Sequence, residues 1–329
     1  MDIAKDLFWH NKRVFVTGAT GMIGSWLVNS LLKKGAYVVA LVRDADPMSL
    51  LFLSGDISRV SVVNGALEDF YTLERAINEN EIDTVFHLGA QTIVGTAYRF
   101  PLSTFETNVR GTYNLMEACR IHEKLVKRIV IASSDKAYGD HEELPYTEDM
   151  ELKGRHPYDV SKTISDFMAQ TYHHTYGTPV AITRCGNVYG GGDLNWSRIV
   201  PGTIRALLSG QCPIVRSDGT FVRDYIYVID VISAYMQIAE HLDDEITHGH
   251  SYNVSNEDPK NVLEMVAIIG KLMGFENLKP DIQNTAIAEI HDQCLSAEKA
   301  RNTLNWKPTY DLVRGLKETI EWYRSFLKN

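Results

Sequence analysis

The stretch HPYDVSKT places Tyr158 and Lys162 four residues apart, so on a helix the phenol and the ammonium share one face. A tyrosine with a pKa of about 10 is a poor base at neutral pH. A cation ~5 Å away, in an effective dielectric of ~20, contributes roughly 3 kcal/mol, or about two pKa units, which brings phenolate chemistry within reach. YxxxK also occurs on helices as surface decoration, so its neighbours decide between the readings. Upstream, SSDKAYG (133–139) follows the apolar run KRIVIA and brings Asp135 and Lys136, side by side after Ser134, to the end of a buried strand. Such a pair is either a solvated ion pair, which contributes little, or a pair with chemistry to perform.

A second constellation lies near the N-terminus. VFVTGATGMIGSWL sets Gly18, Gly21 and Gly24 between a first strand and a first helix, with Thr20, Met22 and Ile23 on the same turn. Glycines there let the backbone turn tightly and approach a pyrophosphate, whose charge then faces the helix N-terminus. A generic strand-to-helix turn is the plainer reading of an isolated match. The end of the second strand selects the dinucleotide, because a carboxylate binds a ribose 2′-hydroxyl while a cation accepts a 2′-phosphate. In ALVRDAD, Val42 stands where the acid is expected and Arg43 follows, so NADP is preferred to NAD; the competing reading pairs Arg43 with Asp44 or Asp46. The positive ring of an oxidised dinucleotide would further favour a phenolate at Tyr158.

The elements that must position these residues follow from periodicity. Apolar runs predict strands over 13–17, 37–42, 60–63, 84–88, 128–132 and 180–184, and three-four spacing predicts helices over 22–34, 70–78, 104–121 and 158–176. Strict alternation of strand and helix implies an α/β fold with a doubly wound parallel sheet. After residue 185 the rhythm breaks at GNVYGGGD, which gives a first region of 1–185 and a smaller C-terminal α/β region of 186–329, interleaved with the first and sharing a ligand cleft.

Composition narrows the partners. The 44% apolar and 23% charged content is that of an ordinary folded protein, and 329 residues suffice for a large core. A net charge of −9 and a pI of 5.7 argue against nucleic acid and anionic membranes, so an anionic ligand needs local cations. Cys119, Cys185, Cys212 and Cys294 are widely spaced, without metal-site spacing, and no metal is expected. The start lacks a leader pattern and no run is long enough to span a bilayer, so a soluble cytoplasmic protein is expected. His87, ending a strand with no acidic or histidine partner at metal spacing, reads as structural.

The glycine loop, SSDKAYG and YDVSK, in this order and at these spacings, resemble the extended short-chain dehydrogenase/reductases that act on nucleotide sugars. The resemblance covers essentially the whole chain, including LSAEKARNTLNWKPTYDLVRGLKETIEWY, and implies a Rossmann sheet with a C-terminal substrate-binding region. It also implies roles: Ser134 hydrogen-bonds the sugar hydroxyl, Tyr158 removes its proton, and Lys162 holds the cofactor ribose and lowers the tyrosine pKa. In that family the pair after the serine separates reactions, small or apolar in epimerases, an acid and a second polar residue in 4,6-dehydratases. Oxidation at C4 acidifies the C5 proton, a base removes it, and an acid protonates the departing C6 hydroxyl. Asp135 then fits the acid and Lys136 the group at C5, either as a base or as an ammonium that stabilises the enolate. Lys at this position is similar to CDP-glucose 4,6-dehydratases, and HLGAQTIVGTAYRF and GNVYGGGDLNWSRIVP agree with them; GDP-mannose 4,6-dehydratases are also similar. The rivals are a 4-epimerase, with Asp135 and Lys136 as bystanders, and a non-catalytic cofactor-sensing protein, against which the presence of Tyr158 and Lys162 argues.

A nucleoside diphosphate requires cations in the cleft, and the candidates are Arg198, Arg216 and Arg223. Arg223 resembles the family's pyrophosphate-binding arginine, Asn187 its phosphate donor, and Arg301 is expected either to close over the nucleotide or to stand exposed on a helix. Leu88 and Ala90 are expected at the cofactor and Gln91 at the substrate. Ala66 replaces the family's adenine-reading Asp, which leaves adenine contact to the backbone near Leu67. The resemblance further implies a homodimer through helices 104–121 and 158–176.

Overall fold

A computed structural model describes residues 7–275, 277, 279–286 and 289–328; residues 1–6, on which part of the leader reading rests, lie outside them. Six strands form at the apolar runs: β1 (Arg13–Thr17), β2 (Tyr37–Val42), β3 (Ser61–Asn64), β4 (Thr84–His87), β5 (Arg128–Ala132) and β6 (Val180–Cys185). They pair in parallel with a seventh, Ser251–Val254, which lies outside β6. Consecutive strand residues point to opposite faces. Val14, Val16, Ala40 and Phe86 therefore join one core and Phe15, Val39, Leu41 and Val85 the other.

Helices cover both faces, as a parallel sheet requires. They are α1 (Met22–Lys33), α2 (Phe70–Glu79), α3 (Gly111–Ile121), α4 (Pro157–Tyr176) and α5 (Val228–His241). α1 and α5 bury residues such as Leu27 and Val231 in the first core; α2, α3 and α4 bury Leu73, Leu115 and Ala169 in the second. The seventh strand and α5 both come from beyond residue 186, so the C-terminal part completes the main sheet as well as building its own small strand pairs.

One helix departs from its periodicity. Instead of one continuous α-helix from 104, helical structure begins at Pro101 and passes through a π turn, Glu106–Arg110, before α3. Asn108 in that turn is buried and fully engaged. Its amide donates to Gln91 O and Ser161 Oγ and accepts from Gln91 N, while its own carbonyl accepts from the hydroxyls of Thr112 and Ser165. Side-chain donors thus replace helical bonds that the widened turn gives up.

The same bonds fix α4. Pro157 occupies its first turn, where the missing N–H costs nothing, and Gly177 ends it at φ +69°. Ser161 and Ser165 face α3, and the buried Asp166 receives a bidentate bond from Arg184 of β6 at 2.8 and 3.0 Å. Rotation of α4 is thereby set so that Tyr158 and Lys162 face the C-terminal end of β5. Among the described residues no helix is long and apolar enough to cross a membrane, and no cluster of three or more His, Cys, Asp or Glu could hold a metal.

Candidate active site

β1 leads to β2 and β3 on one side, and the chain then returns to place β4 on the other side of β1. Ligands of such sheets bind at this reversal. Gly18, at φ +70°, turns there against the end of β4: an added Cβ would lie 2.7 Å from Gly89 N. At Gly24 a Cβ would come 2.1 Å from Gly18 O, so the loop closes over the first turn of α1 only with glycine. α1 has no side-chain N-cap, which leaves its first N–H groups free for an anion. This cradle fits a dinucleotide pyrophosphate.

From it opens a cleft of about 1310 Å³, lined by Gly18, Thr20, Gly21, Met22, Ile23, Gly24, Arg43, Leu67, Leu88, Ala90, Ser134, Asp135, Lys136, Tyr158, Lys162, Asn187, Arg198, Arg216 and Arg223. Two expected residues do not line it. Gln91 turns back, its Oε1 accepting from Ile93 N at 2.8 Å, and Arg301 is held by both carboxylate oxygens of Glu257. Arg43 reaches the cleft edge but its Nε donates to Asp44 at 2.6 Å, so it is an exposed paired cation rather than a free one.

At the far end of the cleft the chain leaves β5 in a tight turn. Ser134 Oγ accepts from Lys136 N at 3.2 Å and donates to Asp135 Oδ1 at 3.0 Å. Ala137 and Tyr138 are buried just beyond, with Tyr138 OH bonded to Asn253 and stacked on Tyr146 at 4.7 Å, so the turn is anchored on its far side. Asp135 is 2% exposed and its Oδ2 has no partner among the described residues. Burial pushes its pKa up, against the opposing pull of Lys136, Ser134 and Arg223. A carboxyl so placed holds its proton more strongly than one in water.

Burial also dominates at Tyr158 and Lys162. Tyr158 is pushed up to about 12, with Arg198 the largest opposing influence and Ser134 hydrogen bonding in the same direction. Lys162 is lowered to about 8, and its Nζ donates to Ala132 O at 2.7 Å. The cation that most favours the phenolate here is therefore Arg198 rather than Lys162, because Lys162 is turned toward the strand end. His87 is buried between the hydroxyls of Thr17 and Thr112 and is lowered to about 3, which keeps it neutral.

The arginines differ in how free they are. Arg198 pairs with Asp193 at 3.0 Å, and the buried Arg223 donates to Val222 O and His291 O and pairs with Glu289. Arg216 is exposed and donates to Ser197 O at 3.4 Å. Asn187 lies beside Tyr225 in a short parallel pair, so both side chains share a face toward the cleft. Sequence reading missed Tyr225, Asp193 and Glu289; the acid in RIVP's preceding loop, GGGDLNWSR, was the visible signal for Asp193.

Behind Arg223, Asp224 is fully buried and accepts from Ser255 Oγ and Leu295 N. Burial raises its pKa to about 7, so it stays protonated in the fold at pH values where the unfolded chain has ionised it. The stabilisation is complete below the ordinary carboxylate value and is lost as pH rises through the folded value. Between about pH 4 and pH 8 the wild type should lose up to roughly 4 kcal/mol relative to Asp224→Asn, read by urea unfolding across pH. Parallel pH curves for the two proteins would refute this.

Comparison with known proteins places the chain in a family. The GDP-mannose 4,6 dehydratase family model matches residues 15–319. A CDP-glucose 4,6-dehydratase of Salmonella typhimurium is 31% identical, over 98% of this chain and 93% of the relative. Among solved structures, a UDP-glucose 4-epimerase of Thermotoga maritima with UDP-glucose superposes at a TM-score of 0.88 with 25% identity, covering 96% of this chain and 99% of that one. A dTDP-glucose 4,6-dehydratase of Streptomyces venezuelae with NAD and TYD bound superposes at 0.85 with 27% identity, covering 95% and 97%.

Proposed function

Because the chain belongs to the GDP-mannose 4,6 dehydratase family, we propose that this NAD(P)-dependent enzyme of nucleotide sugars is a 4,6-dehydratase, converting an NDP-hexose to the NDP-4-keto-6-deoxyhexose. Epimerases and dehydratases share the fold at similar TM-scores, so the fold does not choose between them. The observation that carries the reading is Asp135: a buried carboxyl, biased toward its protonated form, with one unpartnered oxygen beside Ser134 and Lys136 in the cleft.

A nicotinamide bound there would supply the acceptor, and later the donor, of a hydride. Ser134 holds the C4 hydroxyl and Tyr158 takes its proton as C4 is oxidised. Lys136 serves C5, as a base or by stabilising the enolate, and Asp135 gives its proton to the departing C6 hydroxyl, which leaves as water. Return of a proton to C5 and of the hydride to C6 would leave a net change of one water lost. Gly18, Gly21, Gly24 and the start of α1 hold the pyrophosphate of NADP or NAD, with Lys162 at its ribose. The region from 186 onward mainly binds the nucleotide sugar, through Asn187, Arg198, Arg216 and Arg223. Arg43 favours NADP, but Asp44 beside it offers a 2′-hydroxyl a partner as well.

Turnover in deuterated water tests the reaction. A dehydratase leaves one solvent deuteron on C5 of the product; C4 epimerisation leaves none on carbon, and that result would favour the epimerase.

The enzyme is a homodimer in this reading. Leu102, Tyr113 and Phe167 are exposed on the segment 101–121 and on α4, which pack together and carry the partly buried Val109 and Ile164 between them. Phe167→Asp places a charge in that face and should turn a dimer into a monomer in light scattering, with the fold retained. A monomeric wild type, or an unchanged mass in the variant, would refute this.

A further inference from the structure

Lys136 does not stand alone at the cleft. Its Nζ reaches Gln293 Oε1 at 3.4 Å, across 157 residues of sequence. Gln293 is fully buried and does not line the cleft, so it lies behind the lysine rather than beside a ligand. Its Nε2 has no partner among the described residues, and the same holds for Asp135 Oδ2. A buried amide that leaves its NH₂ unpaired forfeits a hydrogen bond, so the rotamer is held by the carbonyl's contact with the ammonium and by the backbone that carries it.

That backbone is tightly fixed. Gln293 N donates to Val222 O at 3.1 Å and Val222 N to His291 O at 3.1 Å, which ties the segment 291–295 to the strand before Arg223. Leu295 N donates to Asp224, and Tyr146 N donates to Cys294 O at 2.8 Å, joining the segment to the ring stacked on Tyr138. The turn that carries Asp135 and Lys136 and the segment that carries Gln293 therefore share one support.

Resting on the dehydratase reading, we infer that Gln293 is a positioning residue: its side-chain carbonyl holds the Lys136 nitrogen over C5 of the sugar. A neutral acceptor suits that task, because it orients the nitrogen without the charge of a carboxylate, which would bind the ammonium form far more strongly. Long lysine side chains otherwise sample many rotamers, and elimination at C5 needs the nitrogen within reach of one proton or one developing oxyanion.

The test separates elimination from C4 oxidation. Gln293→Met keeps length and removes the carbonyl; Gln293→Leu is the second variant should packing fail in the first. In single turnovers with a nucleotide hexose that the wild type dehydrates, the variant should reduce its nicotinamide at the wild-type rate. Water elimination should be at least about tenfold slower, so that reduced nicotinamide accumulates, with KM within about twofold of wild type. A merely structural lesion would instead loosen Val222 and Arg223 and raise KM. Elimination at the wild-type rate overturns the inference and leaves the dehydratase reading intact. A wild type that removes water from no nucleotide hexose overturns both.

Discussion

Tyr158→Phe will lose turnover by about 10²–10⁴-fold, the usual worth of a positioned acid–base group, and the loss will fall on the first step. Tyr158 is 9% exposed and its phenol faces Ser134 and Arg198. Phe keeps the ring's packing, so nucleotide-sugar affinity should change little while reduction of the bound nicotinamide in single turnovers almost disappears. In the free protein burial pushes the phenol up to about 12, so bound cofactor and substrate must bring it down. An acid limb in kcat that lies well below that value in the wild type, and is missing in the variant, is the expected signature. Reduction of the nicotinamide at the wild-type rate in Tyr158→Phe would remove the tyrosine from the mechanism.

Asp135→Asn should act one step later. The variant keeps the turn, because an amide oxygen still accepts from Ser134 Oγ as Asp135 Oδ1 does. It cannot release a proton to the C6 oxygen, so C4 oxidation should proceed, reduced nicotinamide should build up, and dehydrated product should form about 10²–10³-fold more slowly. Lys136→Ala should also stall after oxidation, for want of a group at C5. If both variants release dehydrated product at normal rates, Asp135 and Lys136 have no chemical role.

What the sequence showed of this site was its local part. Gly18, Gly21 and Gly24 occupy one turn, Ser134, Asp135 and Lys136 one strand end, and Tyr158 and Lys162 one helix face, so spacing alone brings each group together. The partners that decide how these groups behave are distant in sequence. Lys136 with Gln293, Arg223 with Glu289, Arg184 with Asp166 and Asp224 with Ser255 and Leu295 each join separate elements, and no periodicity marks them. Two arginines show the limit from the other side. Arg43 and Arg301 carry the right charge for a phosphate, but Asp44 and Glu257 engage them first. The π turn at Glu106–Arg110 escaped for a related reason: its apolar spacing is helical, and only the buried bonds of Asn108 to Ser161 and Gln91 widen it. The six strands up to Cys185 and the helices α1, α2 and α4 were legible to within about a residue, because burial on both faces of the sheet sets them, whereas the seventh strand and α5 were not placed.

The most direct test of the central claim is the mass of the product. The purified enzyme is incubated separately with CDP-glucose, GDP-mannose, dTDP-glucose, UDP-glucose and UDP-N-acetylglucosamine, and each nucleotide sugar is weighed by mass spectrometry. Loss of one water from one of them is the predicted result and names the base at the same time. Unchanged masses throughout, with C4 inverted in one sugar by NMR, would contradict the dehydratase and leave an epimerase in its place.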